Sequence, residues 1–375
     1  MINRRFLISC FATPASLASI LAVFASLAQA EEIATPSAVG APAAPADTAT
    51  PSAVAAPAVT ETPATTAAPA TTAAPVVEET PQPAATKPKP PPYSLPWQLR
   101  PVAPGNVVRL DSSYGFYKNP ANNTSGSALV STLLGSYKVI PDFAVIARVG
   151  LVDNSPPTTA PQQAHKTDIL NPVIGGLYGL KLSPDFKLGL FLGVTLPMGS
   201  GGGTNSSLGK KGAIGAGINT RSAFDNAMFA IDYFTVFPGV DIAFVKAGFT
   251  MQAEATIFKL TKVRGPAATE DDSKVNFTTG LHAGYFVTPF FSLGAELRHQ
   301  RWLSTPMAVS KDYSSAATAT HSNRDTTTLA VGPRFHFKLS DSSWFRPGVS
   351  LSLPIDDPMK KAEYKIVQLD LPISF

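Results

Sequence analysis

Every second residue of FKLGLFLGVTL (186–196) is large and apolar: Phe186, Leu188, Leu190, Leu192, Val194 and Leu196, set against Lys187, Gly189, Phe191, Gly193 and Thr195. A period of two belongs to a β-strand with one apolar face and one mixed face. The same split runs through 245–257, with Val245, Ala247, Phe249, Met251, Ala253, Ala255 and Ile257 opposite Lys246, Gly248, Thr250, Gln252, Glu254 and Thr256, and returns in 275–287 and 345–353. Such segments are about ten residues long, the length a tilted strand needs to cross the hydrocarbon core of a bilayer. A soluble sandwich would alternate too. It would not explain why the apolar face ends with Val367, Leu369, Leu371 and Ile373 before a terminal Phe375.

The links between these segments alternate in length. Short ones are expected at Ile140-Pro141-Asp142, Ser183-Pro184-Asp185, Pro238-Gly239-Val240, Thr288-Pro289-Phe290 and Ser340-Asp341-Ser342. Longer polar ones fall near 118–126, 153–168, 197–224, 263–274, 304–323 and 355–361. Short turns on one side and long loops on the other mark an outer-membrane barrel, with turns in the periplasm and loops outside. The expected fold is all-β: a transmembrane antiparallel up-and-down β-barrel of about twelve strands. Aromatic residues on both sides of the turns in 135–143, 176–186 and 283–291 suit a girdle at the headgroup level.

The N-terminal quarter is of another kind. Arg4-Arg5, an apolar stretch from Ala15 to Leu27 and Ala28-Gln29-Ala30 read as a signal peptide (1–30), leaving Glu31 as the mature N-terminus. Leu7-Ile8-Ser9-Cys10 has the outline of a lipoprotein box, but Phe6, Leu7 and Ile8 are too short an apolar run before the cysteine. Cys10 is the only cysteine, so the processed chain has no disulfide and no thiolate ligand. Residues 31–96 form a Pro/Ala/Thr-rich arm that cannot bury enough apolar surface to fold and is expected to be disordered in the periplasm. Fully extended as polyproline II it would reach on the order of 200 Å, enough to meet the cell wall. The barrel would then occupy 97–375. No basic run points to nucleic acid.

By parity the inward face carries Arg109, Asp111, Arg148, Lys187, Lys246, Glu254, His282, Glu296, Arg298, Arg334, His336, Arg346 and Asp370, which are the pore-lining candidates. Lys181, Lys338 and Asp232 join them, and bases exceed acids in this set. Inward glycines (189, 193, 248, 280, 284, 294, 332 and 348) leave room in a lumen wider than one that side chains alone fill. The expected role is a passive channel or transporter for small molecules, with anionic and aromatic solutes as candidates. The alternative is a structural or surface-display barrel with a periplasmic tether. No catalytic, cofactor-binding or metal-binding pattern stands out, so an enzyme is not expected. GTNSSLGKK (203–211) has the wrong spacing for a phosphate loop, and Lys211 stands where a hydroxyl is needed. Glu270-Asp271-Asp272 reads as a solvated acidic loop. His321-Ser322-Asn323 has the residue types of outer-membrane phospholipases without their surrounding motif.

QLDLPISF (368–375) resembles the C-terminal strand of Gram-negative outer-membrane barrels, which ends in Phe and is read by the barrel-assembly machinery. On that resemblance Leu369, Leu371, Ile373 and Phe375 are the assembly signal, and outer-membrane lipid and lipopolysaccharide are the surroundings. Residues 171–201 resemble a stretch of the outer-membrane proteins of the phenol-degradation MetA-pathway family, with a leucine-rich strand ending in Leu196-Pro197-Met198-Gly199. That resemblance implies a transport role and carries no catalytic motif.

Overall fold

The structure, a computed structural model, describes residues 93–157, 165–203, 207–265, 271–304 and 325–375. The expected signal peptide, the expected arm up to residue 92, Glu270 and His321-Ser322-Asn323 lie outside the described residues. Fifteen strands follow in chain order: β1 (Val107–Lys118), β2 (Ser125–Ile140), β3 (Phe143–Ser155), β4 (Lys166–Ile169), β5 (Val173–Lys181), β6 (Phe186–Thr195), β7 (Tyr233–Lys246), β8 (Phe249–Lys262), β9 (Ser273–Thr288), β10 (Phe291–Trp302), β11 (Asp325–Phe335), β12 (Phe337–Lys338), β13 (Trp344–Phe345), β14 (Gly348–Pro354) and β15 (Lys365–Ser374). Two helices, α1 (Leu208–Thr220) and α2 (Asn226–Phe229), lie between β6 and β7.

These strands make twelve staves, because β4 with β5, β11 with β12 and β13 with β14 each share one. Neighbouring staves pair antiparallel in chain order. The first and last close the ring, from Val107 opposite Ser374 to Phe116 opposite Lys365. The fold is therefore the expected closed antiparallel barrel, and closure leaves no unpaired edge to satisfy.

The parity read from the sequence holds along most of the wall. On β6, Leu190 and Leu192 are exposed while Gly189, Phe191 and Gly193 are buried. On β15, Val367 and Leu369 face out and Gln368 and Asp370 face in. At the turn end, outward rings pack in pairs, Phe186 with Phe244 (5.0 Å between centroids) and Phe291 with Phe335 (5.4 Å). Leu369→Arg would put a base near the middle of this apolar band. It is expected to cost roughly 2–4 kcal/mol, read as a lowered midpoint in heat-modifiability gels, and an unchanged midpoint would remove Leu369 from the lipid-facing wall.

One hairpin differs from expectation. Pro238-Gly239-Val240 is no turn, because β7 runs straight through it. Pro238 points outward, and the ladder to β8 skips Phe237 and Pro238, so the missing N–H costs no bond. The turn lies at Ala247-Gly248, both at positive φ (50° and 82°), the pairing a two-residue hairpin needs. Val245 is consequently inward and Lys246 outward. Lys246 is no pore-lining residue: it is mostly exposed at the turn end and pairs with Asp185 at 3.3 Å. Most of the 197–224 connection also departs from expectation, since it turns into the barrel instead of standing outside.

Candidate functional site

Two stretches of the chain fill the lumen. The first is residues 93–106. Pro96, Pro101 and Pro104 keep it out of any ladder, so its polar backbone must find side-chain partners. It rises from the turn end near Thr250 and Gly284, reaches mid-lumen at Leu99 and Arg100, and returns past Gly189 and Gly179 to Asn106. Glu296 accepts from the backbone N–H of Trp97 (2.7 Å) and Gln98 (3.0 Å), and Glu254 accepts from that of Arg100 (2.7 Å). Arg334 donates to the carbonyls of Leu95 and Pro96, Arg109 to those of Pro96 and Trp97, and Gln252 to that of Arg100. Trp97 is buried edge-on against His282, with centroids 5.9 Å apart.

The inward glycines make room for this segment. A Cβ on residue 280 would stand 2.7 Å from Leu99 Cδ1, and one on residue 294 would stand 3.1 Å from the Trp97 ring. The space inferred from the sequence exists, but the chain itself occupies it. Gly193, Gly248 and Gly332 do not belong to this group: the first faces the Phe191 and Phe237 rings, the second sits in the turn, and the third faces the β14 backbone.

The second stretch is 207–231, entering from the loop end. Ser207 caps α1 through its hydroxyl, which accepts from Lys210 N–H at 3.3 Å. Four glycines in α1 (209, 212, 215 and 217) weaken it as an isolated helix. Packing compensates. Gly217 lies so close to Phe229 and Val152 that a side chain would not fit, and Ala213, Ala227, Met228 and Phe229 join wall residues Val130, Ile146, Phe191, Phe237 and Phe258 in one apolar cluster. At the tip, Arg221 donates to Asp111 (2.7 Å), Ser113 (3.0 Å) and Asp225 (2.7 Å), and Arg148 donates to Asp225 at 2.6 Å. Burial pushes the Asp225 carboxyl up, but Arg148 and Arg221 outweigh it and hold it below the usual carboxylate range. This contribution to stability is present above the unfolded pKa and is lost only as pH falls through the depressed folded value, so the tip stays tied in mild acid.

The deep lumen is balanced in charge, not basic. Its wall supplies Arg109, Arg148, Arg298 and Arg334 with Asp111, Asp241, Glu254, Glu296 and Asp370; the two plugs supply Arg100 and Arg221 with Asp225. Four arginines face five carboxylates on the wall, and the plugs bring a surplus of one arginine. The plugs thus complete the wall's pairing. The other predicted residues sit nearer the turn end. His336 bonds Ser292 (2.9 Å), Arg346 lies over the Trp344 ring (5.3 Å), and Lys187 lies over the Tyr93 ring (5.8 Å). His282 is 3.8 Å from Glu296. Lys181 and Lys338 are exposed at strand ends, and Asp232 pairs with Arg264 beyond the lumen. The sequence reading missed Tyr93, Gln98, Arg100, Arg221, Asp225 and Asp241.

Between the plugs lies a cavity of about 80 Å³. Its lining mixes Phe191, Phe237, Phe258, Phe224 and Met228 with Arg109, Asp111, Arg148, Asp225, Arg100, Glu254 and Gln98, and the Arg100 guanidinium lies 4.5 Å over the Phe191 ring.

Fold and site together define a class: a closed twelve-stave β-barrel with an apolar exterior, whose lumen is shut by two inward segments of its own chain. Among solved structures the chain is similar to the COG4313 outer membrane channel from Pseudomonas putida F1, at 12% identity over 75% of this chain and 100% of that one (TM-score 0.46). It is also similar to the KdgM porin in complex with disordered oligogalacturonate (10%, 72% and 99%, TM-score 0.38) and to the NanC porin (10%, 71% and 98%, TM-score 0.39). The sequence matches no family model and no curated protein, so the likeness of residues 171–201 to the MetA-pathway family stays a resemblance.

Proposed function

We propose that the protein is an outer-membrane conduit for small molecules, held shut in this conformation by two displaceable plugs. The exterior supports the membrane reading, because a belt of exposed Leu, Val, Ile and Tyr around the whole wall would be intolerable in water. In this reading turns face the periplasm and loops face outside, and export and insertion use the signal peptide and the assembly signal. The observation that carries the conduit is how the lumen is closed. A barrel needing only rigidity can be narrow enough for wall side chains to fill it. This one is wider, and inserted chain segments close it, the turn-half segment tied to the wall by hydrogen bonds and ion pairs that water can replace.

The second reading, a structural barrel, draws on the apolar cluster that fastens α1 and α2 to the wall. A reversible lock separates the two. Leu99 Cγ lies 2.9 Å from the Cβ position of residue 280. The Cβ of residue 99, one bond further back, lies no nearer than 3.2 Å and no further than about one bond length beyond Cγ, a span that overlaps the roughly 3.5–4.5 Å of a disulfide. In planar bilayers, Leu99→Cys with Gly280→Cys is expected to be silent when oxidised and to regain brief openings on reduction, while wild type ignores the reductant. Silence of both wild type and reduced protein would favour the structural barrel.

A further inference from the structure

The cavity between the plugs holds an amide with nothing to bind. Gln98 is 9% exposed, and both its Nε2 and its Oε1 are buried without a hydrogen-bond partner, in a lining that mixes phenylalanines with paired charges. A buried polar group left unsatisfied costs roughly 1–3 kcal/mol, and here donor and acceptor are orphaned together. The same cavity is lined by Phe191, Phe237 and Phe258, whose rings pack in series.

We infer that this cavity is an occlusion site for a small uncharged amphipathic solute, one hydroxyl or primary amide on a short apolar body. The inference rests on the conduit reading for the solute's route in. Gln98 presents one donor and one acceptor side by side, which a hydroxyl or an amide can satisfy at once. Ions are disfavoured. Arg148 is held by Asp225, Arg109 by Asp370, and Arg100 by Asp241 and Glu254, so an entering charge would lose its hydration without gaining a free counter-charge. Size sets the upper limit: the volume of about 80 Å³ exceeds what one water needs and falls short of the roughly 150 Å³ that holds benzene.

Fluorine NMR of the purified full chain tests this without any flux. We expect saturable binding of 3-fluoropropan-1-ol, at least about tenfold tighter than 3-fluoropropanoate or 3-fluoropropylammonium. Gln98→Leu should weaken alcohol binding about tenfold, which is about 1.4 kcal/mol, and Ala227→Leu, filling the cavity from α2, should abolish it. Equal binding of the three compounds, or alcohol binding that neither variant changes, overturns the site and indicates partition into detergent. A protein that conducts on unlocking but binds no alcohol loses this inference and keeps the conduit. A protein that binds the alcohol and never conducts loses the conduit alone.

Discussion

A chain lacking residues 208–230 and carrying Glu296→Ala is expected to conduct at least about tenfold more in planar bilayers than either change alone. The two plugs are stacked along the axis: 93–106 fills the turn half, 207–231 the loop half, and they meet where Arg298 reaches Glu296 on one side and Ser222 on the other. Obstructions in series add their resistances, so removing one leaves the other in control. Glu296→Ala takes away the acceptor of two plug N–H groups and leaves the buried Arg298 guanidinium without its carboxylate. Breaking a buried pair in this way costs roughly 3–5 kcal/mol, enough to shift a plug equilibrium more than a hundredfold. If either single change opens the pore as far as the double, the segments block side by side and the stacked arrangement is wrong.

The wall was legible because its signal is local. Leu190, Leu192, Val367 and Leu369 announce their face by alternation alone, and the twelve staves follow from the spacing of turns. The misreading at β7 came from giving Pro238-Gly239 the weight such a pair usually has in a turn. Here Pro238 faces outward, and Gly239 is bare because the Arg100 guanidinium lies against it. The turn at Ala247-Gly248 was hidden by an alanine in a left-handed conformation that its composition does not advertise.

The site was legible only in part, because its partners are distant in sequence. Arg109 and Asp370 were each placed on the inward face, but nothing local pairs residues 261 positions apart. Asp241 was lost with the misplaced turn. Arg100 and Gln98 lie in a Pro-interrupted stretch with no period, and α1 carries four glycines that argue against a helix. The glycines at 280, 284 and 294 did signal space in the lumen. They could not tell whether solvent or protein fills it, and the basic surplus counted from the wall vanished because Lys181, Lys246 and Lys338 are exposed at strand ends, Lys187 and Arg346 sit nearer the turn end, and Asp241 joins the buried carboxylates.

Asp370→Ala is expected to lower the heat-modifiability midpoint on the order of 10 °C while leaving the plug in place. Asp370 sits fully buried on β15 and accepts from Arg109 of β1 and Arg334 of β11, each at 2.6 Å. One carboxylate therefore ties together the stave that closes the ring, the stave it closes onto, and a third on its other side. Without it, two guanidinium groups remain in a dry interior, an imbalance worth roughly 3–5 kcal/mol. Arg334 keeps its bonds to the Leu95 and Pro96 carbonyls and Arg109 its bonds to those of Pro96 and Trp97, so the turn-half plug stays held and conductance should not rise. Asp370→Asn, which keeps the shape and an oxygen acceptor but loses the charge, should fall between wild type and Asp370→Ala. Val367→Ala, on the lipid-facing side of the same strand, should move the midpoint little. A drop in stability accompanied by open channels would instead mean that Asp370 holds the plug and not the closure. An unchanged midpoint would mean that the β1–β15 ladder, from Val107 to Phe116, closes the barrel without help from the lumen.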